Sequence, residues 1–258
     1  MNKTVLPKYL TIKQESKNTT PEMYIDGEIV TDEYEDTDTS AAGFRNALKS
    51  LGDVKNINLH INSPGGSVFE GIAIYNMLKQ NSARINVYID GLAASIASVI
   101  AMSGDAIFMP SNSMMMVHNP WVMAIGNANE LRKQADDLDQ ITKSSVQTYL
   151  AKAGDKLDEK TLTQLMDDET WLTAQEAVDY GLADEVMEPN KAVASINKQF
   201  VSRYRHVPEQ LIKQAEHDDN KLNSEQNLEQ EQLNKIHEKA LANAKALNIS
   251  IEKLKEEF

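Results

Sequence analysis

Two short runs fix most of what this chain can fold into. Ile57-x-Leu59-x-Ile61 and Ile85-x-Val87-x-Ile89 alternate apolar and polar residues, the period-two pattern of a strand with one buried face. Each run gives way to a glycine-bearing stretch, Asn62-Ser63-Pro64-Gly65-Gly66 and Asp90-Gly91, and each stretch leads into helical spacing. After the first, Ser67 and Glu70 form a capping-box pattern and predict a helix to about Gln80. After the second, Ala93 to Ser103 reads as a buried helix of small and branched residues closed by Gly104. Strand, turn and helix in alternation predict an α/β fold with mainly parallel pairing.

The flanks extend this pattern. Met23 to Val30 reads as a first strand with Asp26-Gly27 as a turn, Asp32 to Asp38 as an acidic loop, and Ala41 to Leu51 as a helix. Ala106 to Met109 and Met114 to Val117 predict short strands around a turn. Asn127 to Leu150 predicts a long helix with Leu131, Leu138, Ile141, Ser145 and Tyr149 near one face. Asp158 to Met166 reads as a further helix. Thr173 and Glu176 form a second capping box before a short helix ending at Gly181, and Leu182 to Val186 reads as a last strand.

Charge and composition mark the boundaries. Residues 1–20 are polar and read as a flexible N-terminus, residues 21–190 as the folded domain, and residues 191–258 as a charged, largely helical extension. In that extension Leu228, Leu233, Ile236, Ala240, Ala244, Leu247, Ile251 and Leu254 recur at the spacing of an amphipathic helix of coiled-coil or docking type. The 258 residues carry a net charge of −13, which disfavours binding to nucleic acid backbones. There is no cysteine, so disulfides, thiolate metal sites and a cysteine nucleophile are excluded. Met1 to Leu10 is polar and broken by Pro7, unlike a signal peptide, and the longest apolar run, Gly91 to Met102, falls short of a membrane span. These features lead to the expectation of a cytoplasmic protein with no metal and no cofactor.

Four places could carry chemistry. Ser95 follows a strand end and a glycine, where a hydroxyl can be exposed and held rigidly, and Ile96 beside it offers a backbone N–H. Taken alone, Ser95 and Ser98 read better as small helix-packing residues than as a catalytic group. His118 closes the apolar strand Met114 to Val117, a good position for a general base. His60 points outward from its strand, and His206, His217 and His237 fall in the polar extension. One N–H of the Gly65-Gly66 turn could complete an oxyanion hole with that of Ile96. Asp167, Asp168 and Glu169 supply carboxylates that could orient the histidine.

The order of Asn62-Ser63-Pro64-Gly65-Gly66, Gly91-Leu92-Ala93-Ala94-Ser95, Val117-His118-Asn119-Pro120, Trp171-Leu172-Thr173-Ala174-Gln175-Glu176-Ala177 and Tyr180-Gly181-Leu182-Ala183-Asp184 resembles the ClpP-like serine peptidase family over residues 22 to 188. Within that family the chain most resembles the head maturation (prohead) proteases of tailed phages and prophages. The resemblance implies a ClpP/crotonase-like superhelix of ββα units with a long ring-contact helix. It makes Ser95 the nucleophile, His118 the base, and Gly66 and Ile96 the oxyanion donors. Gly65, Ser67 and Pro120 would bind substrate. The acid falls on Glu169, where relatives carry aspartate, with Asp168 as the alternative. The implied activity is a cofactor-free serine endopeptidase of heptameric rings that processes capsid or scaffold protein in the host cytoplasm or procapsid, its C-terminal segment docking on capsid or self-cleaved. An AAA+ partner is not expected on that reading. The alternatives are a quality-control peptidase working with an AAA+ unfoldase, and a non-proteolytic crotonase-fold ring. A membrane-bound signal peptide peptidase lacks its anchor in this sequence.

Overall fold

A computed structural model describes residues 10–11, 20–35, 37–189, 203–209 and 211–213. Most of the expected flexible N-terminus and the amphipathic helix from Leu228 to Leu254 lie outside the described residues. Eight strands form one sheet: β1 (Leu10–Thr11), β2 (Glu22–Ile29), β3 (Asn56–Gly66), β4 (Arg84–Ala94), β5 (Ala106–Pro110), β6 (Met114–Val117), β7 (Thr170–Thr173) and β8 (Glu185–Met187). The helices are α1 (Ala41–Ser50), α2 (Val68–Lys79), α3 (Ile96–Ala101), α4 (Ala128–Ala153), α5 (Glu159–Asp167) and α6 (Ala174–Asp179). The α/β class stands, and the pairing is parallel except at β1–β2 and β6–β7.

The alternating residues do what their period requires. Met23, Ile25, Leu59, Ile61, Val87, Ile89 and Ile107 are buried on one face of the sheet, under α1, α2 and α3. On the opposite face Tyr24, His60, Tyr88 and Phe108 are register partners across four strands and stack in a ladder. Each parallel pair needs a crossover, and α1 lies in the one between β2 and β3, α2 in that between β3 and β4, and α3 in that between β4 and β5.

β4 is the element that places the site. Its first half pairs with β5 through Asn86, Val87 and Tyr88, and its second half with β6 through Leu92, Ala93 and Ala94. This split lets one strand run on where a turn was expected. Asp90-Gly91 lies inside β4, and Asn62 to Gly66 lies inside β3. Pairing on both sides outweighs the local turn preference, and a register shift between Ile61 and Ser63 absorbs the irregularity. The helix expected from Ala93 therefore begins only at Ile96. Asp26-Gly27 is likewise a bulge within β2, with Gly27 at φ 78°, and not a turn. The last strand starts at Glu185 and not at Leu182, whose N–H is taken by Ala177 O.

The first capping box does not form. Ser67 is the N-cap of α2 but its side chain makes no capping bond, because Glu70 Oε2 accepts from Ala41 N at 2.7 Å and caps α1 instead. The second forms as expected, with Thr173 and Glu176 capping each other. The long helix α4 starts on a capping box of Asn127 and Glu130, and its buried residues begin only at Ser145. Its N-terminal half is exposed together with Trp121, Val122, Met123, Ile125 and Leu131.

Candidate active site

Ser95 stands at the junction of β4 and α3 with φ 55° and ψ −129°, outside any region a serine adopts without strain. Such a residue costs about 1–3 kcal/mol and persists only where its surroundings over-determine it. Here they do. Ser95 N–H donates to Met116 O at 3.0 Å. Ser98 Oγ lies 2.6 Å from Ser95 O and 3.0 Å from Met116 O. Tyr149 OH, from α4, sits 2.7 Å from Ser98 Oγ. Burial pushes the Tyr149 phenol pKa up, so it stays protonated. The sequence left Ser98 as a packing residue; its separation from Tyr149 along the chain hides this brace.

Two glycines allow the close approach around Ser95. A Cβ on Gly65, at φ 97°, would meet Ala94 O at 2.7 Å and Ser95 Cβ at 2.8 Å. A Cβ on Gly71 would meet Ile96 Cγ1 at 2.2 Å. The strained elbow is thus packed directly against the end of β3 and the flank of α2.

His118 follows β6, which pairs with the same half of β4, so the two side chains meet. Ser95 Oγ lies 2.7 Å from His118 Nε2. Asn119 Nδ2 donates to Asp167 Oδ1 at 2.7 Å, tying the loop after His118 to the end of α5. The His118 pKa is lowered, first by burial, which outweighs the raising effect of Glu169, and further by the Arg205 cation. The imidazole is therefore neutral near pH 7 and able to accept a proton.

The Gly65 N–H donates to Ser63 Oγ at 3.1 Å and the Ser67 N–H to Ile29 O at 2.7 Å, which brackets Gly66 as the amide of this turn nearest to a free role. Ile96 opens α3, where a helix has no internal partner for an N–H. The cleft beside Ser95 is lined by Glu28, Pro64, Gly65, Gly66, Val68, His118, Pro120 and Trp121, and by Arg203 and Tyr204 from the far end of the described chain. Ser67 stands at its edge as the N-cap of α2.

The two candidate acids separate clearly. Asp168 is exposed and accepts from Gln164 Nε2 at 2.8 Å. Glu169 is buried, with φ 50°, and its charge is felt by His118. Yet no carboxylate is hydrogen-bonded to His118 among the described residues. Glu169 Oε1 instead accepts from Arg205 N at 2.6 Å and His206 N at 3.0 Å.

The segment that makes those bonds was missed. Residues 203–209 return across the site, and Leu211 is buried against Leu92, Ala94 and Met116. The available signal was Arg203-Tyr204-Arg205-His206, a cationic aromatic run in a chain of net charge −13. No group of three metal-ligating side chains and no helix long and apolar enough to cross a membrane occurs among the described residues.

A fold with a strained serine braced against a neutral histidine defines a serine-type peptidase, and comparison with known proteins places it. A model of the Clp protease family matches residues 12–190, and the chain belongs to that family. It is similar to the ATP-dependent Clp protease proteolytic subunit of Ligilactobacillus salivarius, 37% identical over 141 residues that cover 54% of this chain and 71% of the relative. The proteins of the same name from Pleurastrum terricola and Bacteroides fragilis are each 34% identical, over 54% of this chain and 71% and 68% of their own lengths. These names favour the alternative expectation, a Clp-type peptidase, over phage head maturation.

Proposed function

We propose that this chain is the proteolytic subunit of an ATP-dependent Clp-type protease, a serine endopeptidase acting through Ser95, His118 and Glu169. The observation that carries the reading is the 2.7 Å contact of Ser95 Oγ with His118 Nε2 at a strained elbow. As Oγ attacks the scissile carbonyl carbon, His118 Nε2 takes its proton. The tetrahedral oxyanion accepts from the N–H groups of Gly66 and Ile96. Collapse expels the amine, which takes the proton from His118. Water, deprotonated by the same nitrogen, then attacks the acyl ester and restores Ser95. Glu169 orients the ring and stabilises the imidazolium when its carboxylate reaches Nδ1.

Gly65, Gly66, Ser67 and Pro120 flank the cleft and suit an extended peptide. Copies associate through the exposed half of α4 and the apolar residues 121–125, forming rings as the family resemblance implies. A narrow cleft needs an unfolded chain, and the relatives' names support an ATP-driven unfoldase as its supplier. No observation favours capsid or scaffold protein as the substrate.

The test is degradation of a folded, tagged reporter with and without an AAA+ unfoldase and ATP, with Ser95→Ala alongside. ATP-dependent loss of reporter that Ser95→Ala abolishes is the expected result. ATP-independent cutting of capsid or scaffold protein, with no unfoldase effect, would return the phage reading. Fluorophosphonate that leaves Ser95 unlabelled in every assembled form would favour a non-proteolytic ring.

A further inference from the structure

The segment lying across the site is held by contacts of four kinds. Arg203 Nη1 donates to Glu28 Oε1 at 2.5 Å on one wall of the cleft. Tyr204 OH donates to Pro64 O on the same side. The Tyr204 ring meets His118 edge-on at 5.6 Å and Trp171 at 5.7 Å, so it stands directly over the base. Arg205 and His206 give their N–H groups to Glu169 Oε1, and His206 Nδ1 lies 3.1 Å from Asp168 O. Leu211 anchors the far end by burial beneath Leu92 and Met116.

This arrangement opposes catalysis in three ways. With the segment in place the cleft holds about 140 Å³, well below the roughly 300 Å³ at which ligand sites begin. The Glu169 carboxylate, whose charge acts on His118, spends one oxygen on two backbone amides and makes no bond to the imidazole. The Arg205 guanidinium disfavours the positive charge that His118 must acquire when it takes the serine proton. Nor is the segment a substrate in waiting. A peptide bound for cleavage pairs its backbone along a strand edge. Among the described residues this segment forms no strand pairing, and its amides at 205 and 206 go to a side chain.

We propose that residues 203–209, with Leu211, are an autoinhibitory strap: seated in its own chain's cleft, it fills the place of a peptide with Tyr204 and draws Glu169 away from His118, so the site becomes competent when the strap is displaced. The proposal rests on Ser95 and His118 being the catalytic pair. Release empties the cleft, frees Glu169 to turn to Nδ1, and removes Arg205. All three changes favour the charged histidine, through solvation, an acquired carboxylate and a departed cation. The groups acting on His118 are then Ser95 and Glu169, with Arg205 and Tyr204 gone.

The experiment is the rate of Ser95 labelling by a fluorophosphonate, followed from pH 5 to 8 on the full-length chain. Wild type is compared with Tyr204→Ala, Arg203→Glu, Tyr204→Phe and Ser95→Ala. Tyr204→Ala and Arg203→Glu break the strap at separate points and are expected each to raise the rate about tenfold or more. Tyr204→Phe keeps the ring but loses the bond to Pro64, and is expected to give a smaller rise. The acid-side midpoint should move up in Tyr204→Ala toward the ordinary histidine value, because a base must be neutral to act and its pKa rises on release. Labelling of Ser95 at equal rates and equal midpoints in wild type and all three strap variants would overturn the strap and leave the peptidase reading intact. No labelling in any protein, indistinguishable from Ser95→Ala, would overturn the peptidase reading itself and the strap with it.

Discussion

Two of the described histidines, His60 and His118, feel the charge of carboxylates, and they end with opposite electrostatics. His60, on β3, holds Glu22 Oε2 at 2.9 Å on one ring nitrogen and Asp90 on the other, between the stacked rings of Tyr24 and Tyr88. Burial lowers its pKa, but the hydrogen bonds and charges of Asp90 and then Glu22 overcome this, and the net shift is upward. His118 has no such bond; burial dominates and its pKa falls. The comparison teaches that contact with an acid does not make a base. His60 has both nitrogens committed to carboxylates that favour its protonated form, and it bridges three strands. His118 keeps Nε2 for Ser95 and stays neutral, which proton abstraction requires.

The largest effect should come from breaking this comparison at its active member. His118→Ala is expected to lower peptide turnover on the order of 10⁴–10⁶-fold, since the serine then lacks its base. His60→Gln should leave turnover within about threefold, because no residue of the ladder lines the cleft. Steady-state kinetics on a fluorogenic peptide checks both. Similar losses in the two variants would mean that the histidines do not differ in role.

Next in size is the pair of acids. Glu169→Ala is expected to cost about 10²–10⁴-fold in kcat, through loss of imidazole orientation and of imidazolium stabilisation. The same substitution loosens the strap, a gain of about tenfold by the argument above, so the loss wins. Asp168→Ala should change kcat by less than about fivefold, as its carboxylate is exposed and bonded to Gln164. Equal or reversed losses would move the acid to Asp168.

The sequence made the strands and their alternation with helices legible because these rest on short-range pattern, whereas Ser95 and His118 were paired only through the order of motifs that the family resemblance supplies. Alternation at Ile57, Leu59 and Ile61, and at Ile85, Val87 and Ile89, marks buried strand faces without reference to the rest of the chain. What the sequence obscured depends on distant partners. β4 runs through Asp90-Gly91 only because β6 pairs with its second half. Glu70 caps α1, 29 residues away, and not its own helix. Tyr149 braces Ser98 across 51 residues, and Arg205 reaches Glu169 across 36. Glu169 was found by motif, but the diversion of its carboxylate follows from a segment whose composition announces only surface charge.

The smallest effect sharpens the comparison through pH. The folded-state pKa of His60 is raised above its unfolded value of about 6.5. Its proton is bound more tightly in the native state, so the stabilisation is complete below that value and is lost as pH rises through the folded pKa. His118 works in the opposite sense: its depressed pKa means the native state resists protonation, and stability declines as pH falls below about 6.5. The Tm difference between wild type and His60→Gln should therefore be greatest near pH 5.5 and shrink toward pH 9. With the pair partly exposed, it should amount to about 2–4 °C at most. Asp26, whose pKa is raised by burial and then by Asp90, faces the same group and narrows the window from the acid side by taking up its own proton. A difference that instead grew with pH would mean that His60 is neutral in the native state. The two histidines would then share the same electrostatics after all.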